Sequence, residues 1–164
     1  MAARHGKGVV EVEYHQAYLA GPGVVPDTDD VRSNGAIDPG VDGGATVRTG
    51  VASGGVRYTW AYHEAVPAPE LDDWEDVAEV AVVSGDAGLH VTGWGGGSFD
   101  ETDLAFDGPG TYAVRVSARG RDRQWDEAVG TAKERFHLDV WPLTDDFHAR
   151  VLKGTSEAIS ELAD

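Results

Sequence analysis

Asp107-Gly108-Pro109-Gly110-Thr111-Tyr112, followed by Ala113-Val114-Arg115-Val116-Ser117-Ala118, is the stretch that decides the fold class. Its first half is a tight crossing written in Gly and Pro, which supply the unusual and the fixed backbone angles that a chain reversal needs. Its second half alternates strictly. Tyr112, Val114, Val116 and Ala118 share one face, and Ala113, Arg115, Ser117 and Arg119 share the other, the period of a half-buried strand. A Tyr at the start of a strand just after such a crossing can turn its hydroxyl back onto upstream backbone, a tyrosine corner between two packed sheets. The stretch predicts a β-sandwich and carries no chemistry of its own.

Outward from it, more short alternating runs appear between Gly-, Pro- and Asp-rich punctuation. Val10–Tyr14, Val77–Ser84, Leu89–Trp94 and Glu134–Trp141 each read as strands, the last with Phe136, Leu138 and Val140 inward. Ala45–Ala52 and Val56–His63 flank Ser53-Gly54-Gly55 and predict a hairpin, since the glycines can take the positive φ of a tight turn. Gly21–Gly44 reads as a long loop with one short extended piece. After Pro142 the character changes. Ser156 is placed to cap a helix over Glu157–Leu162, too short to stand alone, so the tail either docks or frays. The predicted fold is an all-β, antiparallel β-sandwich with a short C-terminal helix, a domain over 1–143 and a tail over 144–164. Its start at Tyr112 resembles a late strand of immunoglobulin-like sandwiches. The Cys–Trp–Cys pattern of antibody domains is missing, which keeps a jelly roll open.

A wider resemblance rests on Tyr112–Asp122, on Phe136-His137-Leu138-Asp139-Val140-Trp141-Pro142 and on Trp74-Glu75-Asp76-Val77. In these stretches the chain is similar to a group of all-β proteins encoded in many high-GC bacterial genomes. The resemblance implies no activity.

The chain has 164 residues, 41% of them hydrophobic, enough for one domain with a real core. It has no cysteine, which excludes a disulfide framework, a thiol nucleophile and any Cys-ligated metal site. Glu11, Glu13 and His15 interrupt the first apolar stretch, so no signal peptide is read there, and no run approaches the ~20 apolar residues of a membrane span. Cytoplasmic location is the expectation.

With 29 acidic and 13 basic residues the formal charge is -16, a field that repels nucleic acid and anionic membranes and favours a basic protein partner. Against that background Arg115, Arg119, Arg121 and Arg123 fall within nine positions. Their guanidinium forks could bind an anion; equally, they could pair across strands with Asp139 or Glu134. Trp125, in the polar loop 120–132, is the tryptophan expected to be exposed. Arg115, Arg119, Arg121 and Trp125 are therefore the candidate binding residues.

No metal or other cofactor is predicted. Asp27, Asp29 and Asp30, and then Asp100, Glu101, Asp103 and Asp107, match no calcium-loop spacing and read as turn acids. The six His are scattered, although His63 and His137 could meet across strands. No nucleophile elbow is present, and Gly93-Trp94-Gly95-Gly96-Gly97 lacks the Lys-Ser/Thr ending of a phosphate loop. The leading functional expectation is a non-enzymatic binding protein, inhibitor or immunity-type, with an acidic surface. The alternatives are a small-ligand or carbohydrate-binding sandwich that uses exposed Trp, and an enzyme with a loop-borne carboxylate or metal site.

Overall fold

The computed structural model describes residues 4–94 and 99–163. The glycine run Gly95–Gly97, expected to stop a strand, lies outside the described residues. Among the described residues, ten strands form two packed sheets. In chain order they are β1 (His5–Val12), β2 (Gln16–Ala20), β3 (Ile37–Pro39), β4 (Ala45–Arg48), β5 (Ser53–Tyr62), β6 (Asp76–Ser84), β7 (His90–Thr92), β8 (Gly110–Arg119), β9 (Ala128–Pro142) and β10 (Arg150–Gly154), followed by the helix α1 (Glu157–Leu162). The larger sheet runs β1-β5-β9-β8-β6-β10 and the smaller β3-β4-β2-β7.

The inward residues read from the sequence fill the space between the sheets. Val56, Tyr58, Trp60 and Tyr62 of β5, Tyr112, Val114 and Val116 of β8, and Phe136, Leu138 and Val140 of β9 belong to one buried cluster. Opposite them lie Ala17 and Leu19 of β2, Val47 of β4 and Val91 of β7. A void of about 20 Å³, room for one water, lies between the sheets among Val10, Ala17, Val56, Phe136 and Leu138. Tyr112 makes the predicted corner: its hydroxyl donates to Gly108 O at 2.6 Å and accepts from Asp107 N at 3.0 Å.

Three expectations need correction. First, the sheet is not wholly antiparallel, because β5 and β9 pair in parallel. Second, Ala45–Ala52 and Val56–His63 do not form a hairpin: β4 lies in the smaller sheet and β5 in the larger. The glycines expected to turn are instead the first residues of β5. Gly54, at φ 138°, sits where any Cβ would run into Val129 O, and the β5–β9 register shifts there. They allow close backbone approach and a bulge rather than a reversal. Third, the tail contributes a strand as well as a helix. β10 adds to the edge of the larger sheet beside β6. Ser156 caps α1 as expected, accepting from Ile159 N, and Ala158, Ile159 and Leu162 are buried. The tail docks through Asp76, whose carboxylate accepts from Arg121 Nε and Nη2, from Ser156 Oγ and from Thr155 N and Ser156 N.

No helix of the described residues is long and apolar enough to cross a membrane.

Candidate functional site

The outer face of the larger sheet is ordered in rows across neighbouring strands, and two of the rows differ sharply in charge. One reads Asp139 (β9), Arg115 (β8), Glu79 (β6) and Arg150 (β10), each opposite the next. Its signs alternate and its members pair. Arg115 Nε donates to Glu79 Oε2 at 2.7 Å, Arg150 Nε donates to Glu79 Oε1 at 3.1 Å, and Arg115 Nη1 lies 3.9 Å from Asp139 Oδ2. The connection from β5 to β6 lies over this row. Pro67 O and Ala68 O accept from the Arg115 guanidinium, which also stacks 5.0 Å over Trp141.

Four residues back along β9, two steps along the same face, the pattern is lost. Arg57 (β5) stands opposite Arg135 (β9), and Arg135 opposite Arg119 (β8). All three side chains point outward and are exposed. Adjacent strands are ~4.8 Å apart, so three guanidinium-bearing residues fall on a line roughly 10 Å long. Like charges directly opposite one another on a sheet destabilise it. In a chain with more than twice as many acids as bases, neutralising partners are plentiful elsewhere, yet these three have no carboxylate within 4.0 Å among the described residues.

The row forms the floor of two adjoining grooves. One, of about 680 Å³, is lined by Lys7, Arg57, Thr59, Trp74 and Arg135 among others. The second, of about 330 Å³, shares Arg135 and adds Arg119, Arg123 and Lys133. Five of the thirteen Lys and Arg (Arg4, Arg48, Arg115, Arg121 and Arg150) pair with carboxylates, and six of the other eight line these grooves. The acids present, Glu75 and Asp122, are already engaged. Glu75 Oε1 accepts Gly120 N at 2.6 Å, and the Asp122 carboxylate accepts Glu157 N and Ala158 N at the start of α1. Trp74 forms a wall of the groove, with the Arg135 guanidinium 5.2 Å from its ring and His137 stacked at 6.3 Å.

Between the two charged rows lies a polar one: Lys7, Thr59, His137 and Ser117, each opposite the next. Thr59 Oγ1 is 2.6 Å from His137 Nδ1. His137 Nε2 is 3.0 Å, and His63 Nε2 2.7 Å, from the same oxygen of Asp139. Burial works to raise the Asp139 carboxyl, but the hydrogen bonds and charge of His137, then of His63, outweigh it and hold the group below its ordinary value. An ionised carboxylate only accepts, so each Nε2 carries its proton. When the His137 ring is neutral, Nδ1 is then left as the acceptor for the Thr59 hydroxyl.

Of the four candidate binding residues named from the sequence, Arg119 lines these grooves, as does Arg123 of the same arginine cluster. Arg115 and Arg121, 2% and 0% exposed, are buried ion-pair partners and cannot meet an external anion. Arg121 holds Asp76 at 2.7 Å. Glu134, one of the partners expected for the arginines, instead receives Gly50 N and Val51 N on its two oxygens, and burial raises its carboxyl. Trp125 is 37% exposed, as expected, but its ring lies tilted against His15, which bonds Asp126, outside the grooves. The residues missed, Arg57, Arg135, Lys7 and Trp74, lie on four separate segments. Their outward position was legible in the alternation, but their register was not. The His63–His137 meeting foreseen from the strands does occur, through Asp139. The loop acids serve turns: Asp27 accepts Asp29 N, Asp100 accepts Thr102 N, and Asp103 accepts Leu89 N and Ala105 N. Among the described residues, no group of three His, Asp or Glu is arranged to hold a metal ion.

No family model and no curated protein matches the chain. A solved structure described as "Crocagin biosynthetic gene J" is similar in fold, with 12% identity and a TM-score of 0.54, covering 88% of this chain and 100% of that one. At that identity the likeness is one of fold alone. The chain is thus a two-sheet β-sandwich with a small C-terminal helix and a cationic row on one outer face.

Proposed function

We propose that this chain is a binding protein that receives a compact anionic ligand, a phosphoryl or carboxylate group, on the outer face of its larger sheet. The observation that carries the reading is the uncompensated Arg57–Arg135–Arg119 row, set on the same face as a fully compensated one. Arg135 lies against Trp74 and Arg119 Nη1 donates to Asp73 O at 3.2 Å, yet no carboxylate offsets the three like charges, and local arrangements that cost stability mark functional positions. Guanidinium forks match phosphate and carboxylate in the plane, and Trp74 offers an aromatic wall beside them. The surrounding charge selects for size. Charges act over about the ~8 Å Debye length of physiological salt, so a compact anion in the groove meets the cations, whereas an extended polyanion also lies close over the acids of a chain at -16 and is repelled. This reading is close to the small-ligand alternative drawn from the sequence. A basic protein partner is supported by net charge alone.

The test is calorimetric titration with inorganic pyrophosphate. Saturable binding is expected. Arg57→Ala and Arg135→Ala should each weaken it by about tenfold or more, since a hydrogen bond to a charged group contributes ~1.5–3 kcal/mol. Heat that neither saturates nor responds to the substitutions would count against the reading.

A further inference from the structure

Resting on that reading, we infer that the groove is also a reaction centre: Thr59 is a nucleophile for phosphoryl transfer, His137 its base and Asp139 the residue that positions the base. A nucleophilic hydroxyl is recognised by a base within hydrogen-bond reach that is itself oriented by a third group. The three stand in that order here, at 2.6 Å and 3.0 Å, with the tautomer of His137 set by the Asp139 carboxylate. Thr59 is exposed and lines the groove that holds Arg57 and Arg135. Those two arginines flank the Thr59–His137 pair one step along the same face, two residues back on each strand. Two residues of strand span about 7 Å, within reach of an arginine side chain.

The surroundings select phosphoryl over acyl chemistry. Acyl transfer is served by preorganised neutral donors, backbone N–H groups above all, aimed at one developing oxyanion. Thr59 lies in a strand flanked on both sides, by β1 and by β9, so the amides around it belong to the sheet ladder. What remains to stabilise charge is a set of side-chain cations, Arg57, Arg135 and Lys7, the donors suited to the oxygens of a transferring phosphoryl group.

The substrate class is a phosphomonoester. The Thr59 hydroxyl gives its proton to His137 Nδ1 as Oγ1 bonds to phosphorus. The bond from phosphorus to the leaving oxygen breaks, its electron pair goes to that oxygen, and His137 returns the proton to it. Water then yields a proton to His137 and attacks the phosphothreonine. The bond from phosphorus to Oγ1 breaks, Oγ1 takes the proton, and inorganic phosphate departs. The sum is ester plus water giving alcohol plus phosphate.

The experiment incubates the full chain with p-nitrophenyl phosphate and follows both nitrophenolate release and a phosphoryl adduct by mass spectrometry. Binding of inorganic phosphate to the same proteins is measured in parallel by calorimetry. Release and an adduct located at Thr59 are expected. Thr59→Val should abolish both while remaining folded by circular dichroism, and Thr59→Ser, which keeps the hydroxyl, should retain release. His137→Gln should slow release by about 100-fold or more, the low end of general-base contributions. Asp139→Glu should restore part of the rate lost in Asp139→Asn, as positioning by a carboxylate requires. Phosphate binding without release above the buffer rate, or release that survives Thr59→Val, would overturn the inference and leave the binding reading standing. Absence of phosphate binding would overturn both.

Discussion

The hydroxyl of Tyr112 gives one hydrogen bond and takes another at the turn that precedes β8, while its ring is 2% exposed in the core. The two contributions separate by substitution. Tyr112→Phe removes the hydroxyl alone and should cost ~1–3 kcal/mol, the penalty for leaving the Asp107 amide and Gly108 carbonyl unmatched. Tyr112→Ala adds a cavity and should cost ~3–5 kcal/mol. Urea unfolding measures both, and a Tyr112→Phe variant as stable as the parent would deny the corner any stabilising role. Asp139 gives a prediction in pH. Its carboxyl is depressed in the folded chain, so the stability it contributes is complete above the ordinary value of 3.8 that it takes when unfolded and is lost as the pH falls through the depressed value. Asp139→Asn should therefore be less stable than the parent at neutral pH, and the gap should close in acid below that value; a gap constant from neutral pH down to acid would contradict the assignment. Tyr112 was legible in the sequence because its partners are four and five residues away. The burial of Arg115 and Arg121 was not, because their carboxylates, Glu79 and Asp76, stand 36 and 45 residues upstream.

At the scale of strands, alternation told which residues face the core, and β5, β8 and β9 follow it residue by residue. Pairing is a different quantity, set by register and by neighbours distant in sequence. β2 went unread because the turn that introduces it, Tyr14-His15, takes φ values of 53° and 61° without Gly or Asn to announce them. The hairpin at Ser53-Gly54-Gly55 was misread because glycine serves a bulge as well as a turn. The arginine row likewise exists only once β5, β9 and β8 are set side by side. Its cost is measurable. Arg57 has no ion pair among the described residues and no aromatic partner, so Arg57→Thr, a β-branched replacement, should leave the chain as stable or more stable by ~0.2–1 kcal/mol, the size of a cross-strand pair. The same change should weaken anion binding. Thermal unfolding and pyrophosphate titration of one variant report both quantities. A clear loss of stability would mean that the row is held for packing.

Across the whole molecule, a charge of -16 suggested a basic partner, while the folded surface gathers six unpaired cations into two adjoining grooves. Net charge is a sum over the surface and carries no position, so this concentration could not be read from composition. The central claim is one of position, and the most direct measurement is positional. In the spectrum of the ¹⁵N-labelled chain, the side-chain Nε–H signals of Arg57, Arg135 and Arg119 and the indole N–H of Trp74 should shift together and saturate as inorganic pyrophosphate is added, while those of the buried Arg115 and Arg121 stay in place. Saturating shifts at arginines outside the grooves, such as Arg4 or Arg32, with the Arg57–Arg135–Arg119 signals unmoved, would contradict the account.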